Sequence, residues 1–170
     1  MVPAMRERVH HDRPFNSPLE CGLRLLFVLA AAQERPCDLQ RLVSYDYLLV
    51  HSGDVPGGPK SLHPAVPFRG TELLVKREVL QIGLNQMFSR ELLTKSFDTL
   101  GITYRANELT GAFLKLMKTV YADALRIRAT WVIEHFAVMD DRSLATYMSE
   151  NVGRWGAEFE RLSAINDLEL

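Results

Sequence analysis

The 170 residues are 47% hydrophobic and 24% charged, and 20 Lys plus Arg against 21 Asp plus Glu give a formal net charge of −1. A chain of this length and composition can bury enough surface to fold as one soluble domain without disulfides or a structural metal, which disfavours intrinsic disorder. The near-zero charge disfavours a protein whose main work is binding nucleic acid or an acidic membrane surface.

The N-terminus and the cysteines point to a cytoplasmic protein. Residues 1–16 carry charges but no apolar signal-peptide region, and we expect them to be flexible. The most apolar stretch, 19–32, is too short to span a bilayer, so no membrane partner is expected. Cys21 and Cys37 do not have the spacing of metal ligands, and we expect free intracellular thiols.

Two helices are predicted before residue 51. Ser17-Pro-Leu-Glu20 is a capping box with proline at the first helical position, and it predicts a helix over about 18–32. A second helix begins at Asp38, because apolar residues recur from there at helical spacing as far as Val50.

Asp46 interrupts the apolar stripe of the second helix. A carboxylate in that position must be paired or protonated, because removing its water is costly. We expect a structural salt bridge or hydrogen bond to Arg24, Arg77 or a loop amide. A catalytic role for Asp46 is the less favoured alternative.

Residues 51–70 contain four of the eight prolines and four of the ten glycines. Neither a helix nor a central strand can run through such a segment, so we expect a long ordered loop with a functional or binding role. Its Gly53–Ser61 stretch is similar to a phosphate-binding loop. Pro59 displaces Lys60 by one position, however, and the segment follows a helix rather than a strand, so nucleotide binding is not expected.

His51, Asp54 and His63 could in principle ligate zinc or another divalent ion. No closely spaced helical pair of ligands accompanies them, and hydrogen bonds from His51 and Asp54 to the loop's own backbone are the favoured interpretation. The chain also contains none of the common nucleophile, metalloprotease, dinucleotide or kinase motifs. We therefore expect no metal, no cofactor and no enzymatic activity.

A third helix and a hairpin follow the loop. Thr71 is a candidate cap for a helix that ends near Arg90, and the apolar period then changes to two over 93–97 and 102–106. Gly101 closes the turn between these strands. Three helices followed by a hairpin is the order of a winged helix-turn-helix domain, so we expect a mainly α, α+β fold with that domain over 17–108.

The remaining chain reads as a C-terminal helical extension over 109–162, with a tail over 163–170. One long helix is predicted over about 110–136, with apolar residues on two sides. Asp140 or Asp141 opens another helix, whose apolar stripe includes Trp155.

The winged helix carries little excess charge for binding DNA. Residues 68–105 contain six bases and four acids, and four of the bases are candidates for weak phosphate contacts: Lys76, Arg77, Lys95 and Arg105. Residues 137–170 contain seven acids and three bases and would repel DNA. A protein-docking winged helix is therefore favoured over a freestanding winged-helix transcriptional regulator, which is the alternative.

Several segments together carry a family resemblance. The chain resembles the middle component, of the second type, of bacterial ABC-three component systems over about residues 14–160. The segments that carry it are 15–20, 38–43, the sequence DYLLVHSGD over 46–54, 57–59, 61–64 and 154–159.

The resemblance implies a small winged-helix subunit that couples an effector, often a nuclease, to a coiled-coil ABC ATPase of the SMC or Rad50 kind. Such systems include Lamassu-type defence against phages and plasmids. The subunit would belong to a hetero-oligomer and meet DNA only within it, and no catalytic residue is transferred.

Under this interpretation the 51–70 loop and the C-terminal helices are the candidate contact surfaces. Trp155 and Phe159 would anchor a partner if exposed and would belong to the core if not, and core is favoured. The candidate interface residues are Tyr47, His51, Asp54, His63, Trp155 and Phe159.

Overall fold

The protein is described by a computed structural model over residues 16–65, 69–99 and 101–168, with the backbone alone for 69–72, 74 and 156–168. The described chain is mainly helical and has a small three-stranded antiparallel sheet. The predicted flexibility of residues 1–16 concerns a segment that, except for Asn16, lies outside the described residues.

The first two helices begin where their caps predict. Helix α1 spans Pro18–Ala32, and the Ser17 hydroxyl accepts a hydrogen bond from the Glu20 amide while the Glu20 carboxylate accepts one from the Ser17 amide. Helix α2 spans Leu39–Val50, and the Asp38 carboxylate accepts from the Arg41 amide at 2.7 Å. Between them the chain forms a two-residue strand, β1 (Cys37–Asp38), which was not predicted.

Helix α3 spans Arg69–Ser89 and begins two residues before the predicted cap, so Thr71 lies inside the helix. The predicted hairpin is confirmed: strand β2 spans Thr94–Asp98 and strand β3 spans Gly101–Arg105. Gly101 has φ +121°, a conformation that favours glycine. β1 pairs with the far edge of β3, and the strand order is β1-β3-β2.

The predicted single helix over 110–136 is wrong, because two helices occupy this segment: α4 (Glu108–Leu114) and α5 (Val120–Phe136). The Thr119 hydroxyl caps α5 by accepting from the Ala122 amide at 3.1 Å. The Arg126 guanidinium donates to the carbonyl groups of the turn between the two helices. The apolar period continues across the break because both helices face the same core.

Helix α6 spans Asp141–Leu168, with Asp140 as its cap, and so continues beyond the predicted boundary at residue 162. The C-terminal helices share a single hydrophobic core with α1, α2 and α3. Helices α1 and α3 cross closely at two glycines: a Cβ atom on Gly22 would lie 2.6 Å from the Gly83 carbonyl oxygen. This close crossing brings the polar side chains of the first three helices together inside the core.

Candidate functional site

A buried ion cluster joins the first three helices. Asp46 of α2 accepts two hydrogen bonds from the Arg24 guanidinium of α1, Nε to Oδ1 at 3.0 Å and Nη2 to Oδ2 at 3.1 Å. The Lys76 ammonium of α3 lies 3.7 Å from Asp46 Oδ2. All three side chains are buried. Arg77, the other cation considered for Asp46, is exposed and donates to the Gln40 side chain at 2.7 Å instead.

The charges of the ion cluster stabilise one another. Burial acts to raise the pKa of the Asp46 carboxyl, but the charges of Arg24 and Lys76 outweigh burial and hold the pKa below its usual value. Burial acts to lower the pKa of Arg24, and Asp46 outweighs it in turn. A carboxylate held ionised by two cations is a poor proton donor or acceptor, so the cluster is suited to holding helices rather than to acid–base chemistry.

A second group, the aromatic–histidine cluster, lies between the loop and the helices, and consists of Tyr47, His51, His63, Tyr121 and Trp155. The rings of Tyr47 and Trp155 are stacked, with centroids 5.6 Å apart and an interplanar angle of 6°. His51 lies 4.9 Å from Tyr47 and 6.4 Å from His63, centroid to centroid. His63 Nε2 is hydrogen-bonded to the Tyr121 hydroxyl at 2.9 Å.

His63 is neutral at physiological pH. Burial, together with the positive charge of Arg24 and against the opposite effect of Asp46, lowers its pKa to about 4. Burial also raises the pKa of the Tyr121 hydroxyl. The hydrogen bond between them therefore joins two uncharged groups, and it connects the loop to α5.

The loop is ordered by contacts at several points. The amides of Leu62 and His63 both donate to the Val50 carbonyl oxygen, at 2.9 and 3.1 Å, which brings the loop back to the end of α2. The Arg128 guanidinium of α5 donates two hydrogen bonds to the Lys60 carbonyl oxygen, at 2.9 and 2.6 Å. Together these contacts hold residues 51–65 in one defined shape.

A glycine lies where the loop packs closely against α5. A Cβ atom on Gly58 would overlap the Ser52 carbonyl oxygen and lie 3.0 Å from Trp131 Cζ2. Only glycine fits there without movement of the backbone. The glycine content that predicts a loop thus also allows the loop to pack tightly.

The predicted interface residues lie mostly under the loop. Tyr47, His51, His63 and Trp155 are buried, so they cannot be exposed anchors, and Trp155 belongs to the core. Asp54 is partly exposed and accepts a hydrogen bond from the Tyr47 hydroxyl at 2.7 Å. The side chain of Phe159 lies outside the described residues. The outer face of the loop is formed instead by exposed residues: Gly53, Pro56, Gly57, Lys60, Pro64 and Ala65.

The four candidate phosphate contacts differ in accessibility. Lys76 is only 5% exposed and is engaged with Asp46, so it cannot contact a DNA backbone, contrary to the sequence-based expectation. Lys95 is half-buried, with its ammonium over the rings of neighbouring aromatic residues. Arg77 and Arg105 are exposed.

Among the described residues, no three His, Cys, Asp or Glu side chains are placed to hold a metal ion. Cys21 and Cys37 are free and buried, and burial raises the pKa of each thiol to about 11, which disfavours the thiolate. No helix in the described part of the chain is long and apolar enough to cross a membrane.

Four residues contribute to the site in ways that the sequence analysis did not predict: Lys76, Tyr121, Arg128 and Trp131. Lys76 has no signal that separates it from Arg77, because the two lie four and three residues before the buried Leu80, and both spacings fall on one helical face. Arg128 has no signal either, because its partner is a backbone carbonyl 68 residues away.

Comparison with known proteins identifies a family. A family model described as ABC-three component (ABC-3C) system Middle Component 2 matches residues 14–158 and confirms the resemblance found in the sequence. No curated protein and no solved structure matches the chain significantly.

Proposed function

Because the chain belongs to the ABC-three component system Middle Component 2 family, we propose that it is a noncatalytic adaptor that links a coiled-coil ABC ATPase of the SMC or Rad50 kind to an effector, often a nuclease. The observation that carries this proposal is the family match over residues 14–158, since a middle component works beside partner subunits. The proposed setting is Lamassu-type immunity against phages or plasmids.

We assign residues 17–108 to a winged-helix domain and 109–162 to a helical extension of it. The element order helix, strand, helix, helix, strand, strand, with the first strand paired to the last, supports the winged-helix assignment. Helix α3 then takes the position of a recognition helix. Its exposed apolar residues, Val75, Ile82 and Phe88, are suited to protein contact, whereas its buried Lys76 cannot contact a DNA phosphate.

The outer face of the loop is the proposed contact surface for one partner. A Gly/Pro-rich segment ordinarily loses conformational entropy when it binds, but the contacts to Val50 and Arg128 already order this loop in the free protein. A preordered loop binds at a smaller entropic cost. The aromatic–histidine cluster acts in this proposal as the support that holds the loop in shape. The exposed face of α6 is the second proposed surface.

Co-purification with the products of the neighbouring genes tests the adaptor role. The tagged chain is co-expressed with them and should retain a long coiled-coil protein with Walker motifs. Arg128→Ala removes the two hydrogen bonds to the Lys60 carbonyl, and Ser149→Arg places a charge on the exposed face of α6. Each should reduce the retained partner about tenfold. Glu134→Ala, at an exposed site of α5 outside both proposed surfaces, is the matched control.

Failure of the unaltered chain to retain any neighbouring gene product would refute the adaptor role. Circular dichroism melting of each variant separates loss of a surface from loss of the fold.

A freestanding winged-helix transcriptional regulator is the second candidate, favoured only by the order of helices and strands. It predicts a symmetric homodimer that binds one operator sequence in preference to others. Sedimentation of the purified chain and a selection of bound DNA from random sequences distinguish it from the adaptor, which predicts neither result.

A further inference from the structure

Strand β2 leaves one hydrogen-bonding edge of the sheet open. It is the outer strand in the order β1-β3-β2, and no described strand pairs with its other side. The two-residue turn pairs Asp98 with Gly101, and such turns close on a hydrogen-bonded pair. Hydrogen-bonded and non-bonded pairs alternate along the ladder, so the N–H and C=O groups of Lys95 and Phe97 point away from β3.

Apolar side chains lie on one face of the sheet beside this open edge. Phe97 is 72% exposed and faces its cross-strand neighbour Ile102, which is also exposed. Phe88, from the end of α3, is exposed below them, and the Lys95 ammonium lies within 6 Å of the Phe88 and Phe97 ring centroids. Neighbouring exposed apolar side chains with a charge beside them are typical of a protein contact site.

Lys95 provides the charge of this surface. Its ammonium donates to the Asn85 side-chain oxygen at 3.3 Å, and among the described ion pairs none includes it. The cation is thus held in place by rings and an amide and remains able to receive a carboxylate. Edge strands are commonly protected by proline, a bulge or charges, and β2 has neither proline nor a bulge, so Lys95 and Asp98 are its only such protection.

We propose that an extended segment of a partner subunit adds to β2 as a fourth strand. The inference rests on the proposed function, since it takes the occupant to be another subunit of the complex. Side chains of an added strand alternate, so every second one faces the side of Lys95 and Phe97. The segment should carry an acidic residue opposite Lys95 and an apolar residue, two positions away, opposite Phe97.

The open hydrogen-bonding edge of β2 favours an added strand over a docked helix or DNA. A docked helix would use the apolar side chains but leave the outward amides of Lys95 and Phe97 exposed to water. DNA would gain little from Phe97 and Ile102 and would need more cations than this surface offers. Only a strand uses the open edge, the apolar pair and the single cation together.

Amide hydrogen exchange, followed by NMR on the isotope-labelled chain, tests the proposal directly. In the free chain the Lys95 and Phe97 amides should exchange faster than those of Ser96 and Asp98, which are bonded to β3. In the co-purified complex, the exchange of the Lys95 and Phe97 amides should slow by about 100-fold or more, because an added strand supplies their missing acceptors.

Substitutions supply a second readout. Phe97→Glu and Lys95→Glu should each lower the retained partner subunit about tenfold in co-purification. Val138→Glu is the matched control, since Val138 is exposed to 82% and lies in the turn between α5 and α6. It should retain the partner as the unaltered chain does.

Each outcome is decisive. A complex that assembles while the Lys95 and Phe97 amides stay unprotected overturns the added strand and leaves the adaptor role intact. The absence of any complex refutes the adaptor role itself. Protection of these amides in a concentrated sample of the chain alone, with a dimer in sedimentation, identifies a second copy as the occupant and also overturns the proposal.

Discussion

A carboxylate that has lost its water is stable only if other groups replace that water, and Asp46 is surrounded accordingly. Arg24 contributes two hydrogen bonds and Lys76 a second positive charge, and each comes from a different helix. Removing the anion would leave two buried cations facing one another. The ion cluster therefore binds α1, α2 and α3 to each other at one point.

Asp46→Ala should lower the free energy of unfolding by about 3–5 kcal/mol, because it removes the carboxylate that two buried cations contact. Urea denaturation followed by circular dichroism measures this. Arg77→Ala, at the adjacent but exposed position, should change stability by no more than about 0.5 kcal/mol. An Asp46→Ala protein that kept its fold and its partners and lost only a turnover activity would instead show that Asp46 is catalytic.

His63 should make stability depend on pH in the acidic range. Its pKa is about 4 in the folded chain against 6.5 without the fold, so the unfolded chain binds more protons between these values. The contribution of His63 to stability is fully present well above pH 6.5, and the free energy of unfolding falls as the pH drops towards 4. The loss should reach about 2 kcal/mol at pH 5 relative to pH 8.

Urea denaturation at pH 5 and pH 8 measures the His63 contribution. His63→Gln removes the titrating group, and the difference in stability between the two pH values should shrink by most of that amount. An equal difference in both proteins would mean that His63 is not the group that titrates.

At the scale of elements, helix ends and helix crossings decide the arrangement. Capping groups at Ser17, Asp38 and Thr119 set where three of the helices begin. The crossing of α1 and α3 depends on Gly22 and Gly83, since each removes a side chain where the other backbone passes. The ion cluster can form only because these helices approach so closely.

Gly83→Ala should therefore destabilise the protein by about 2–3 kcal/mol, because the new methyl group meets the backbone of α1 near Pro18 and Gly22. Gly153→Ala is the matched control: it lies in α6 with no atom within 4 Å of the new Cβ, and should stabilise the protein by about 0.5–1 kcal/mol. Thermal melting of the two variants measures the contrast. A Gly83→Ala protein as stable as the parent would show that α1 and α3 can separate at no cost.

At the scale of the whole molecule, charge is distributed unevenly under a near-neutral sum. Residues 68–105 and 110–136 each have a surplus of two bases, and 137–170 carries a net charge of −4. The structure reduces the cationic surface further, since Lys76 is buried against Asp46. An uneven distribution of charge is better suited to contacts with two different partners than to binding DNA.

The isolated chain should accordingly retain little duplex DNA near physiological ionic strength, about 0.15 M. An electrophoretic mobility shift titration over a range of salt concentrations measures this, and any binding at low salt should disappear steeply as salt rises. Tight binding to one sequence at physiological salt would contradict the expectation and favour the regulator.

The sequence by itself determined the features that depend on neighbouring residues. The capping box at Ser17 set the start of α1, the prolines and glycines set the loop, and the change of period at residue 93 set the hairpin. These signals act over a few residues, so they can be read without knowledge of the fold. The family resemblance was visible in the same segments and is confirmed over 14–158.

Only the tertiary structure decided which distant groups meet. Local sequence could not separate Lys76 from Arg77 as the partner of Asp46, because the choice depends on the rotation of α3 against α1 and α2. The break between α4 and α5 was hidden because both helices present apolar residues to one core. Tyr47 and Trp155 are buried and support the loop, because α6 packs against α2. That contact joins residues about 100 positions apart, and no short-range sequence pattern encodes it.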